Sequence, residues 1–381
     1  MAQIRIPATF MRGGSSKGVF FHARDVPKDP DRRNQVILAT IGSPDPYGRQ
    51  LNGMGGGVSS VSKAVVIGPS SRDDADLDYT FAQVAVSESL VDYASNCGNL
   101  SSAVGPFAID SGLVSSVGEC CEIMIHNTNS CKLIRATVPL VDGMARVDGD
   151  FEIPGVSGSG ARIRLDFLDP GGTSTGSLLP TRQPVNTLII EGEGAFEASL
   201  VDSGVPCAFL SAERFGLSGS ETVAELEANS SLMKLVERLR RAAAVTMQLA
   251  DAPENAPASA PKIGLVARPS AFRTLAGVKI SARQADLSAR IWSMGQVHRV
   301  LPLTGAMCLA VACRIPGSIC QMLLTRDTDT GGGVRLANPS GILPLDSQVT
   351  TVGNVPIARH VTAYRTARTL MEGMVFIPKF D

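Results

Sequence analysis

Lys63 separates a polar turn, Ser59-Ser60-Val61-Ser62, from an apolar run, Ala64-Val65-Val66-Ile67. A lysine partly withdrawn from water at such a boundary has its charged form disfavoured and becomes usable as a base. Cys97 stands in Ser95-Asn96-Cys97-Gly98-Asn99, just ahead of an apolar segment of helical character. A helix start favours a thiolate there. A base and an acid beside a carboxylate-binding turn suit removal of a proton next to an activated carbon, followed by its return. The competing readings are a solvated lysine and an inert buried thiol. Three other small polar turns accompany these two residues: Gly13-Gly14-Ser15-Ser16-Lys17-Gly18, Asn52-Gly53-Met54-Gly55-Gly56-Gly57 and Leu303-Thr304-Gly305-Ala306.

Two of these turns look related. Asn96–Gly105 and Leu303–Ala312 align without gaps at an offset of 207, each a glycine-containing turn leading into an apolar helix. Helix starts carry unpaired N–H groups and the positive end of the dipole, and Gly98 and Gly305 would let an anion approach the backbone. The alternative is that the glycines serve close packing alone. Strands are expected at Asp78–Val86, Glu122–His126, Lys132–Val138, Thr187–Glu191 and Gln321–Leu324. Helices are expected at Asp31–Ile41, Leu100–Ser111, Glu221–Ala250, Gly305–Ala312 and Val361–Met371. Many short strands and few helices argue for an α+β fold. Asp169–Pro184, rich in Gly, Ser, Thr and Pro, nearly bisects the chain and reads as a crossover between domains. Ala252–Pro261 reads as a surface loop.

Composition removes several function classes. With 381 residues, 44% of them hydrophobic, the chain can bury a substantial core without staples. A net charge of −1 argues against general nucleic-acid binding. No apolar run reaches the roughly 18 residues of a membrane span, and the N-terminus lacks the pattern of a signal peptide, so a cytoplasmic protein is expected. The eight cysteines contain no CxxC pair, and Cys308, Cys313 and Cys320 sit in an apolar stretch as expected of core thiols. The four histidines form no ligand cluster, so no metal is expected. Neither GxxxxGK[ST] nor GxSxG occurs, and the glycine runs, Gly331-Gly332-Gly333 included, miss the dinucleotide spacing; no nucleotide cofactor is expected.

Several motifs together carry a family resemblance. They are Arg12-Gly13-Gly14-Ser15-Ser16-Lys17-Gly18, Ser43-Pro44-Asp45-Pro46-Tyr47-Gly48, Gly53-Met54-Gly55-Gly56, Ser62-Lys63 and Asn96-Cys97-Gly98-Asn99. Towards the C-terminus follow Ser293-Met294-Gly295, Pro302-Leu303-Thr304-Gly305-Ala306-Met307 and Pro339-Ser340-Gly341. In order and spacing, from about Ile4 to Pro378, the chain resembles the 2-methylaconitate cis–trans isomerases. That family also holds methylitaconate Δ-isomerases and 4-oxalomesaconate tautomerases.

The resemblance implies a diaminopimelate-epimerase-like α+β fold of two pseudo-symmetric domains, each a curled sheet or barrel around a central helix, with the active site between them. The expected bounds are 1–180, with a strand at 372–381 returning to it, and 185–371. Racemases of that fold use two cysteines; here Thr304 stands opposite Cys97, which implies the isomerase branch. The resemblance makes Lys63 the base, Cys97 the acid partner or a positioning group, and Ser16 a carboxylate ligand. Met54, Gly55, Gly56, Ser62, Asn96, Gly98, Asn99, Met294, Thr304, Gly305, Ala306 and Met307 complete the implied binding set, largely through backbone N–H groups. It implies no cofactor, a tricarboxylate substrate, a homodimer, and a functional link to an aconitase-like 2-methylcitrate dehydratase in propionate catabolism. A non-enzymatic accessory to such a dehydratase is the alternative of a different class. Lys17, Lys279 and His298 receive no role from the sequence.

Overall fold

The computed structural model describes residues 3–93, 96–326, 333–353 and 355–380. The chain divides into two compact units: unit 1, Met1–Phe167 with Tyr364–Asp381, and unit 2, Leu168–Ala363. One division falls between Ala363 and Tyr364, and the other just before Asp169–Pro184 rather than within it. That segment is tied to unit 2, because the buried Asp202 carboxylate accepts from the Thr173 hydroxyl at 2.7 Å and from the Ser174 and Thr175 N–H groups at 2.8 and 2.7 Å.

In unit 1, Gln3–Gly13 and Ser16–His22 form an antiparallel hairpin. Ser16–His22 then runs parallel to Lys63–Pro69, which is antiparallel to Leu77–Val84. Leu77–Val84 is parallel to Cys120–Asn127, and antiparallel pairing continues through Lys132–Val141 to Ile163–Leu168. At the other end, Ala367–Pro378 pairs antiparallel with Gln3–Gly13 over the whole length of that strand. Period-two burial explains the strands. In Lys132–Val141 the residues Ile134, Ala136, Val138 and Leu140 point inward. The helix Ser101–Asp110 touches both Ala367–Pro378 and Lys132–Val141, so the sheet curls around it. Every residue of that helix except Asp110 is buried, as its small and apolar sequence requires.

Unit 2 repeats this sequence of pairings. Gly194–Asp202 and Pro206–Ser211 form a hairpin, Pro206–Ser211 is parallel to Lys262–Ala267, and Lys262–Ala267 is antiparallel to Leu287–Ser293. Leu287–Ser293 is parallel to Val334–Asn338, followed by antiparallel steps to Gly341–Val352 and Val355–Arg365. The buried helix Leu303–Ala312 occupies the place of Ser101–Asp110, and the amphipathic Ser230–Thr246 that of Pro30–Ile41. The fold is α+β and each unit carries one buried helix. Each large apolar side chain so removed from water contributes roughly 1.5–3 kcal/mol.

Three expected elements differ. Val361–Met371 is not helical; it lies across the strands Val355–Arg365 and Ala367–Pro378, whose antiparallel neighbours Gly341–Val352 and Gln3–Gly13 supply the backbone partners. Gln321–Leu324 is not a strand, because Ser318 caps a short helix, Ile319–Met322, by accepting from the Gln321 N–H. Glu221–Ala250 is two helices, Val223–Ala228 and Ser230–Thr246. They break at Asn229, whose side chain caps the second helix by accepting from Leu232. Among the described residues no helix is long and apolar enough to cross a membrane.

Candidate functional site

Lys63 is the first residue of its strand, in register with Gln83 on the antiparallel neighbour. Its side chain is buried, Nζ donates to Gln83 Oε1 at 2.6 Å, and the amine lies 4.8 Å from the centre of the Phe81 ring. No carboxylate pairs with it among the described residues. Gln83 is fixed in turn: its Nε2 donates to the Ser62 and Ser59 carbonyls at 3.0 and 3.2 Å. Lysine position is therefore set by an amide clamp rather than by a counter-ion.

The Ser43–Gly48 motif acts one step behind this clamp. The Asp45 carboxylate accepts backbone N–H groups of Tyr47, Arg49 and Gln50, which hold it below the usual carboxylate range. The turn so made delivers the buried Gln50 side chain, whose Oε1 accepts from the Ser62 hydroxyl at 2.6 Å and from the Gly57 N–H at 2.9 Å. Ser62 thus joins the motif to Lys63. The hollow of about 690 Å³ beside the motif, lined by Ser43, Pro44, Asp45, Tyr47 and Pro378, contains neither Lys63 nor Cys97.

Cys97 is buried and opens a turn, Cys97–Leu100, that winds into the helix Ser101–Asp110. Its carbonyl accepts from the Tyr79 hydroxyl at 3.2 Å and from the Ser101 N–H at 3.1 Å. The Ser102 and Ala103 N–H groups are taken by the Asn99 and Leu100 carbonyls. The N–H groups of Gly98, Asn99 and Leu100 have no acceptor among the described residues, so the anion-accepting end lies on the turn itself. Asn96 is held through its Oδ1 by Asn127 at 3.0 Å. Asn99 Oδ1 accepts from Arg365 Nε at 3.1 Å; burial lowers this guanidinium to about 10.

Two glycines show how closely these pieces meet. A Cβ on Gly18 would stand 3.0 Å from Leu100 Cδ1 and 3.3 Å from Lys63 Cβ, so the lysine strand and the Cys97 turn converge there. Gly14, with φ +51°, would put a Cβ 2.5 Å from Asn99 Oδ1. The Gly13–Ser16 hairpin turn therefore packs on the helix entrance, and the buried Ser16 begins the strand that leads to Gly18. Met54 and Gly55 behave otherwise than expected. Their N–H groups donate to the Thr40 and Ile41 carbonyls at 2.8 and 3.0 Å, capping the helix Pro30–Ile41, and are not open to an anion. Of that trio, Gly56 alone keeps an N–H without an acceptor among the described residues.

In unit 2 the corresponding helix starts abruptly after the extended Pro302, whose carbonyl accepts the Ala306 N–H at 2.9 Å. Ala306 and Met307 are thus inside the helical hydrogen-bond ladder, and the open N–H groups are those of Leu303, Thr304 and Gly305. The first helical residues are 202 apart (303 − 101) rather than 207, because the Cys97–Leu100 turn has no counterpart before Leu303. Met294, with φ 53°, and Gly295, with φ 75°, form the two-residue turn between Leu287–Ser293 and Gln296–Val297; the Met294 side chain is exposed at its tip. Cys308, Cys313 and Cys320 are buried, and burial pushes their thiols up. No group of three His, Cys, Asp or Glu is arranged to hold a metal among the described residues. Gly331 and Gly332 lie outside the described residues.

Sequence reading missed Gln50, Phe81, Gln83 and Arg365. The strand register alone makes Gln83 a neighbour of Lys63, and no local pattern announces that.

The fold agrees with the comparisons to known proteins. Residues 3–378 match the family described as PrpF protein, and the chain belongs to that family. It is 40% identical to the 3-methylitaconate isomerase of Eubacterium barkeri over 99% of this chain and 98% of that one. It is 36% identical to the 2-methyl-aconitate isomerase of Shewanella oneidensis, again over 99% and 98%. With the 4-oxalomesaconate tautomerase of Pseudomonas putida the identity is 37%, over 99% and 97%. The crystal structure of a methylitaconate-delta-isomerase superposes with a TM-score of 0.87 at 38% identity, covering 99% of this chain and 96% of that one. A hydroxyproline epimerase from Agrobacterium vitis, 14% identical with a TM-score of 0.53 over 98% and 92%, shares the fold. The diaminopimelate-epimerase-like architecture is thereby established, and the protein is an isomerase.

Proposed function

We propose that the protein isomerises an unsaturated tricarboxylate by abstracting and returning a proton, without a cofactor, and that 2-methylaconitate is its substrate. The observation that carries this reading is Lys63: a buried amine, oriented by Gln83 and Phe81, with no carboxylate beside it among the described residues, converging on the Cys97 turn.

In the proposed mechanism one N–H of Lys63 stays on Gln83 Oε1, which aims the remaining valence of the nitrogen at the substrate. Lys63 takes a proton from a carbon conjugated through the double bond to a carboxylate. Charge spreads over a dienolate, and the former double bond gains single-bond character and rotates. Preorganised N–H donors at Gly56, Gly98 and Asn99, with Ser16, support the developing negative charge. Return of the proton, from Lys63 or from Cys97, gives the other isomer. Thr304, Gly305 and Met294, in unit 2, are proposed as further substrate-binding residues. The reading also carries a cytoplasmic location, a homodimer and partnership with an aconitase-like dehydratase.

Proton NMR of the protein with trans-2-methylaconitate in D2O tests it. Appearance of the cis isomer with deuterium, lost in Lys63→Ala, is the expected result; full turnover by Lys63→Ala would remove the lysine from the role of base. The 40% identity to a 3-methylitaconate isomerase favours methylitaconate as the second substrate to try.

A further inference from the structure

The repeated topology gives Lys63 a counterpart. Lys262 is the first residue of the strand that is parallel to Pro206–Ser211 and antiparallel to Leu287–Ser293, the same position that Lys63 holds in unit 1. The pairing of Ile263 with Trp292 puts Lys262 opposite Ser293, as Lys63 is opposite Gln83. Each amine donates to the side chain of the residue facing it, Lys63 to Gln83 and Lys262 to Ser293 at 2.8 Å. Each lysine also borders the start of its unit's buried helix. Lys262 Cδ lies 3.5 Å from where a Cβ on Gly305 would stand, on the first helical turn with its open N–H groups.

The two amines differ in their surroundings. Burial lowers the proton affinity of Lys262, and the Cys207 thiol opposes this more weakly. His298, close enough for Lys262 to act on it, is pushed down to about 4 by burial first and by the lysine second, and is neutral at pH 7. Among the described residues no carboxylate pairs with Lys262, and the Ser293 hydroxyl is its single side-chain acceptor. A half-buried ammonium with one neutral acceptor gains from an anion that joins it.

We propose that Lys262 is an anion-binding residue of unit 2 whose ammonium takes one carboxylate of a polycarboxylate substrate. This rests on the function proposed above and adds the specificity element for a multiply charged acid: the lysine, the Ser293 hydroxyl and the open N–H groups of Thr304 and Gly305 form one carboxylate-accepting set.

Calorimetric titration with propane-1,2,3-tricarboxylate, a saturated analogue that cannot isomerise, tests the set apart from the chemistry. Lys262→Met is expected to weaken binding roughly 10- to 100-fold, and Lys262→Arg to recover part of the loss. With 2-methylaconitate, KM rises by the same factor while kcat stays within about fivefold. Should Lys262→Met fail to fold, Lys262→Gln, which still donates to Ser293, is measured instead. Wild-type affinity in the folded variant overturns the proposal, and so does a fall in kcat at unchanged KM. If the wild type binds the analogue through Lys262 but Lys63→Ala keeps full turnover, the assignment of the base fails and the carboxylate set stands. If the wild type neither binds the analogue nor isomerises any of the acids, both fall.

Discussion

Units 1 and 2 share one succession of strands, yet they hold their lysines in different company. Lys63 faces an amide that is itself anchored by two carbonyls, and an aromatic ring lies beneath it. Lys262 faces a single hydroxyl, with an uncharged imidazole nearby. The helix entrances differ in parallel. Unit 1 has an extra turn carrying Cys97, braced by Tyr79 and by Arg365 through Asn99, whereas unit 2 passes from Pro302 directly into helix. Lys63 is held by an amide with its own anchors, whereas Lys262 has one neutral hydroxyl partner among the described residues. On the proposals above, the duplicated scaffold divides proton transfer from carboxylate recognition.

The comparison is most exposed to substitution at the two lysines. Lys63→Ala is expected to lower kcat by at least roughly 10³-fold with analogue binding kept, whereas Lys262→Met acts mainly on KM. Stopped assays and titrations on both variants decide it. Next come the glycines. A Cβ on Gly53 would stand 2.2 Å from the Gly42 nitrogen, so Gly53→Ala should cost about 2–4 kcal/mol by denaturant unfolding. Gly305→Ala, whose nearest neighbours are side chains at 3.2 Å and beyond, should cost less than about 1 kcal/mol. Equal losses would remove the distinction between a packed turn and an open one.

A smaller effect separates the clamps. Gln83→Ala frees the Lys63 amine and should reduce kcat by about tenfold, while Ser293→Ala should alter KM by only a few-fold. The smallest effect lies in pH. Folding holds His298 near 4 against an ordinary 6.5, so between those values the unfolded chain binds more protons. Stability therefore rises with pH across this window and is lost as pH falls, by roughly 1 kcal/mol once the ring's partial exposure is allowed for. Thermal melting of His298→Gln should show a flatter acid limb than the wild type; an unchanged limb would mean that the ring sheds no proton on folding.

Much of this was readable from residue order. The two small-residue apolar helices, the boundary position of Lys63 and the turn at Cys97 are local patterns. What the sequence hid is set by register and by capping. Gln83 lies twenty residues from Lys63 and meets it only because two strands pair. Lys262 follows Ala252–Pro261, whose Pro and Ala content reads as loop and draws attention from the strand it precedes. Met54 and Gly55 look like anion-binding glycine-turn residues, but the carbonyl end of Pro30–Ile41 claims their N–H groups. Val361–Met371 carries an apolar spacing near that of a helix, and pairing with neighbouring strands overrides it.

The pairing of Gln3–Gly13 with Ala367–Pro378 sets an order of events during synthesis. Unit 2 is one continuous stretch and can consolidate while the ribosome is still at work. Unit 1 cannot: its first strand emerges with one edge bare and waits more than three hundred residues for the strand that covers it. During that interval the nascent chain is most open to pairing with other chains. Slow translation ahead of residue 367 would lengthen this exposure, and chaperone capture of the Gln3–Gly13 edge would guard it.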